Sequence, residues 1–107
     1  MELFIFARFH ARPDQETGVD AALRKVISPT RQEPSCLSIY AFRSIRDARL
    51  FYIHSRWVDQ AAFDNHVGQP HTNQFVEEVQ PLVRSRTRYD ASQPYRVMLS
   101  TKKFVGR

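Results

Sequence analysis

A chain of 107 residues, 42% hydrophobic and 25% charged, has the composition of one globular domain, 1–107. It is not that of a disordered tail, and no apolar run approaches the roughly 20 residues of a membrane helix. The net charge of +5 is uneven: Arg84, Arg86, Arg88, Arg96, Lys102, Lys103 and Arg107 face Asp90 alone in residues 84–107, while the preceding residues are nearly balanced. Such a segment reads as the solvated side of a basic strand; without an aromatic RNA-binding signature on the central strands, nucleic acid is not an expected partner, nor is a membrane.

The first apolar run holds Phe4, Ile5, Phe6 and Phe9 without a glycine, and an acid precedes it where a signal peptide would be basic, so it reads as a strand. Pro13-Asp14 ends it, with Asp14 as the expected helix N-cap. Val19, Ala22, Leu23, Val26 and Ile27 then recur at the spacing of one helix face, and Pro29 is expected to weaken the last turn. Glu33-Pro34-Ser35 turns the chain into a second strand, 36–44. Cys36, the single cysteine, excludes an intrachain disulfide and reads as a small buried residue in a cytoplasmic protein. A polar loop, 44–48, leads to a third strand, 49–57. Asp59 caps a short helix, 60–67; Gly68-Gln69-Pro70 separates it from a longer one, 71–83; a last strand is clearest at 95–101.

The order β, α, β, β, α, β is that of an α+β, ferredoxin-like split βαβ domain, a four-stranded antiparallel sheet with its helices on one face. Its other face cannot stay bare. Leu3, Ile5, Ala7 and Phe9 oppose Phe4, Phe6, Arg8 and His10; Leu37, Ile39 and Ala41 oppose Tyr40 and Phe42; Phe51, Ile53 and Trp57 oppose Tyr52, His54 and Arg56. A half-exposed sheet should alternate apolar with polar residues, so two apolar faces call for a homodimer with an aromatic-lined cavity between two sheets, a dimeric α/β barrel.

His54, His66 and His71 are the candidate proton acceptors. His66 follows Phe63 and Ala62 on the inward side of the short helix and could equally be a packing residue; His71 could cap its helix. As metal ligands the histidines are poorly spaced, since His66 and His71 lie five residues apart across Gly68 and Pro70 and no carboxylate joins them locally, so no metal is expected. No nucleotide-binding, nucleophile-elbow or Cys-x-x-Cys motif is present, and no cofactor is expected. Trp57, at the end of the third strand, could plug the core or stack on a ligand, as could Tyr40.

Two segments, Thr30-Arg31-Gln32-Glu33-Pro34-Ser35-Cys36-Leu37-Ser38-Ile39-Tyr40 and Arg56-Trp57 with Ala61-Ala62-Phe63-Asp64-Asn65-His66, Pro70-His71 and Phe75, resemble the antibiotic biosynthesis monooxygenase family, a dimeric α/β-barrel group that includes quinol monooxygenases; the likeness runs over about residues 2–83. It implies a cofactor-independent oxygenation of a small hydroxylated aromatic or quinol by O₂, in which His66 or His54 takes the proton, Arg56 or Arg8 holds the phenolate, and Trp57, Tyr40 and His71 help to form the ring site. Two positions depart from the family's pattern: Ser55 stands where a glutamate is usual, and Ser35 replaces the turn glycine. Heme degradation is not expected, because His66 aligns with the tryptophan of heme-degrading relatives. The alternative is a non-catalytic dimer that binds a small molecule in the same barrel.

Overall fold

Strand pairing in the computed structural model, which describes residues 2–84 and the backbone of 96–100, places β1 (Leu3–His10) in the middle of the sheet. The order is β2 (Cys36–Arg43), β3 (Leu50–Trp57), β1, β4 (Arg96–Ser100), with each neighbouring pair antiparallel. This is the expected split βαβ arrangement. The basic segments 85–95 and 101–107 lie outside the described residues.

Helix α1 (Glu16–Arg31) buries Val19, Ala22, Leu23 and Val26, the stripe that its spacing predicts. It starts later than Asp14 would have it. Asp14 adopts a positive φ of 67° in the preceding turn, and Gln15 occupies the cap position without a side-chain hydrogen bond. The short polar side chain of Asp tolerates that left-handed conformation, so the residue serves the turn and not the helix end. Pro29 lies within the last turn, where it removes one intrahelical N–H donor, and the buried Thr30 hydroxyl donates to the Val26 carbonyl at 2.8 Å.

Asp59 caps α2 (Gln60–Val67) as expected, its carboxylate accepting from the Ala62 amide at 2.9 Å. Helix α3 (Pro70–Val79) opens on a proline, whose missing N–H costs nothing in a first turn, and gives way to a 3-10 turn, Gln80–Leu82. Pro81 lacks the amide that would carry α3 as far as residue 83.

The core lies between the helices and one sheet face: Ala7, Phe9, Ile39, Phe51 and Ile53 meet Val19, Leu23, Val26, Phe75 and Val79. Burial of the aliphatic and aromatic side chains, each contributing about 1.5–3 kcal/mol, holds the layers together. A β-bulge between Cys36 and Ser38 moves Leu37 out of the inward set, leaving it 43% exposed, while Cys36 is partly buried beside the core. The opposite face carries Phe4, Phe6, Tyr40, Phe42 and Tyr52, with Tyr40 and Phe42 each 52% exposed. Among the described residues no helix is long and apolar enough to cross a membrane.

Candidate active site

The turn after α1 is closed by a backbone hydrogen bond from the Cys36 amide to the Glu33 carbonyl, 3.0 Å, and Pro34 restricts its φ. Its next residue, Ser35, accepts from the Val58 amide at 3.1 Å, which ties the turn to the end of β3. Glu33 is thereby held near the end of β3. The Trp57 indole, at that strand end, is fully buried, and its N–H donates to Ser55 Oγ at 3.0 Å, so both polar atoms of this buried pair are satisfied.

Helix α2 contributes His66, its one buried residue, whose ring lies 4.5 Å from the Trp57 ring centroid and 5.8 Å from that of Phe63. On a continuous helix His66 and His71 would point about 140° apart, five residues at 3.6 per turn. The break at Gly68-Gln69 removes that divergence. Glu33 Oε2 lies 2.7 Å from His66 Nδ1 and 2.7 Å from His71 Nε2, and Thr72 Oγ1 is 3.3 Å from the same His66 nitrogen. A carboxylate only accepts, so both ring nitrogens donate to it, and neutral His66 is left with its lone pair on Nε2. Burial lowers the His66 pKa below the ordinary histidine range; the hydrogen bond and charge of Glu33 oppose that shift, while His71 adds to it. Cys36 nearby has its pKa raised, chiefly by burial and then by Glu33, which suits an inert thiol.

His66, Ser55, Thr72 and Thr30 are the polar residues lining a cavity of about 40 Å³ whose remaining wall is apolar, including Ile5, Ala7, Ile53 and Phe75. This space exceeds the about 10–15 Å³ that one water needs but is far below the about 150 Å³ that holds benzene.

The residues singled out in the sequence therefore divide between two faces. His66, His71 and Trp57 come together under the helices. Tyr40, His54, Arg56 and Arg8 occupy the uncovered sheet face, where Tyr40 and His54 are cross-strand partners and Phe6 opposes His54. There His54 stacks with Phe4 at 6.2 Å, Arg56 lies over the Phe4 ring and bonds Glu2 at 2.9 Å, and Arg8 is exposed. Burial, and then the positive charge of Arg56, lower the His54 pKa.

Sequence reasoning missed Glu33. The carboxylate that local spacing denied to the histidines arrives from a turn 33 residues before His66. Where the family resemblance would put a glutamate, Ser55 instead accepts from Trp57, and the acid near the histidines belongs to the turn into β2.

Comparison with known proteins agrees with this architecture. The family model for antibiotic biosynthesis monooxygenase matches residues 3–78. "Putative monooxygenase Rv0793" of Mycobacterium tuberculosis is 33% identical over 79 residues, which are 74% of this chain and 77% of that protein. Its solved structure superimposes with a TM-score of 0.82 at 25% identity, covering 100% of both chains. A crystal structure of an antibiotic biosynthesis monooxygenase gives a TM-score of 0.81 at 27% identity, over 94% of this chain and 98% of the other. The chain belongs to the antibiotic biosynthesis monooxygenase family.

Proposed function

We propose that this protein is a monooxygenase that oxidises a small hydroxylated aromatic or quinol with O₂, without an organic cofactor, and that His66 is its proton acceptor. The observation that carries the reading is the 2.7 Å bond from His66 Nδ1 to Glu33, with the ring set against Trp57 at the edge of an apolar cavity. Glu33 orients the imidazole and leaves Nε2 to take the phenolic proton, a positioned general base worth about 10²–10⁴ in rate. The phenolate then supplies the electrons: one oxygen atom enters the substrate, the other leaves as water, and the substrate's own two hydrogens complete that water. An apolar surround strengthens the interactions that hold the anion.

The cavity must widen to take a ring, and α2 is the element suited to move, since His66 is its one buried residue and Gly68 follows it. In this proposal the aromatic sheet face is covered by a second copy of the chain. The exposed Tyr40 and Phe42 support that pairing, and His54, Arg56 and Arg8 then face the interface. A cytoplasmic location fits the single thiol.

O₂ uptake by chelator-treated protein across a panel of quinols tests the reading. Uptake above buffer, lost in His66→Ala, is expected; uptake that never exceeds buffer with any quinol sinks it. Ser55, standing where the family resemblance puts a glutamate, favours one competitor, a non-catalytic binding protein, which native mass spectrometry would reveal as a retained ligand that is never consumed.

A further inference from the structure

We propose that Glu33, His66 and His71 form a binding site for one divalent transition-metal ion of the zinc, cobalt or iron(II) class. Each of the three side chains offers one donor atom, and these atoms all lie within 4.8 Å of one another. Two imidazoles and a carboxylate are a donor set that such ions take, in zinc sites with a fourth position open to solvent and in non-heme iron sites as a facial triad. Nitrogen donors disfavour magnesium and calcium.

Charge points the same way. The Glu33 side chain is only 12% exposed, and among the described residues no lysine or arginine pairs with it; its ion-pairing groups are the two imidazoles. A carboxylate withdrawn from water needs a compensating positive charge, which a divalent cation supplies in full. The His71 side chain, 22% exposed, is the most open of the three and gives the ion a way in.

The geometry needs a small adjustment. Ligands about 2.0–2.2 Å from a tetrahedral metal lie about 3.3–3.6 Å from one another. The carboxylate, 2.7 Å from each nitrogen, would have to withdraw by less than about 1 Å, and the two nitrogens, within 4.8 Å of each other, would have to take up that same spacing. Glu33 belongs to a turn outside the helices and strands, so its side chain can shift without disturbing the sheet. An ion on His66 Nδ1 leaves the proton on Nε2, so His66 is no base in the loaded form, and the metal site and the proton acceptor are alternative states of one ring.

Titration of chelator-treated protein with Co²⁺ and Zn²⁺ alone, without substrate, tests the site independently of any catalytic reading. One Co²⁺ per chain with visible d–d absorption, displaced by one equivalent of Zn²⁺, is expected. Glu33→Gln and His71→Ala should each weaken binding by more than the about 10- to 100-fold that loss of an outer-shell partner costs. His10→Ala, away from the cluster, should bind as the parent does. Saturation that survives both ligand variants, or no saturable Co²⁺ binding by the parent protein, overturns the proposal. If the variants fail to fold, the parent's histidine NMR signals decide: Zn²⁺ must shift those of His66 and His71 and leave His10 in place.

Discussion

One oxygen of Glu33 lies 2.7 Å from both His66 Nδ1 and His71 Nε2, so a single carboxylate fixes two rings on either side of a helix break. If the carboxylate sets the tautomer of His66, Glu33→Gln should lower kcat by about 10²-fold or more in chelator-treated protein, because the amide can present its N–H₂ to the ring and reverse the tautomer. Glu33→Asp should recover part of the loss. O₂ consumption under saturating quinol measures both, and a Gln variant with parental kcat removes Glu33 from the mechanism.

Ser55 is expected to matter for stability. Ser55→Ala deletes the acceptor of the buried Trp57 indole N–H and leaves a donor with no partner in an apolar place. That should cost about 1–3 kcal/mol, read as a lower urea midpoint with an unchanged slope. A midpoint equal to the parent's would mean that the indole finds another acceptor.

The open sheet face offers a test of association. Phe42 is 52% exposed, so Phe42→Glu should leave the single chain folded, yet it would bury an unpaired charge if a second sheet lies against it. Sedimentation equilibrium should then show dimer for the parent and monomer for the variant. A parent that stays monomeric through the micromolar range contradicts the pairing.

His54 supplies a pH dependence. Its folded pKa is lowered, first by burial and then by Arg56, so between that value and the ordinary 6.5 the unfolded chain binds more protons than the folded one. The His54 contribution to stability is therefore complete above the ordinary histidine range and is lost as pH falls through it toward the folded pKa, with no further change below. Ring NMR signals should titrate below 6.5, and Arg56→Gln should raise the midpoint without restoring it fully, because burial, the larger cause, persists.

The elements were legible where local periodicity controls them: the α1 stripe, the alternation of β1 and β3, the Asp59 cap and the break at Gly68-Gln69 appear in the structure as read. The misses came where a residue's role depends on backbone or distant geometry. Asp14 has the chemistry of a cap but a positive φ, and Leu37 has the hydrophobicity of a core residue but lies at a bulge. Trp57 and His66 were visible as candidates because each is a rare residue in an apolar setting. Glu33 looked like an ordinary turn acid, and only the return of α2 and α3 over the end of β3 joins it to residues 33 and 38 positions away.

Trp57 is the chain's one tryptophan, wholly shielded from water, and its ring leans on His66. Excited at the red edge of indole absorption, where the four tyrosines do not absorb, its fluorescence comes from this one ring and should respond to whatever happens to that imidazole, whether proton, metal or ligand. The molecule thus contains its own optical probe at the site, one that works without label and without turnover.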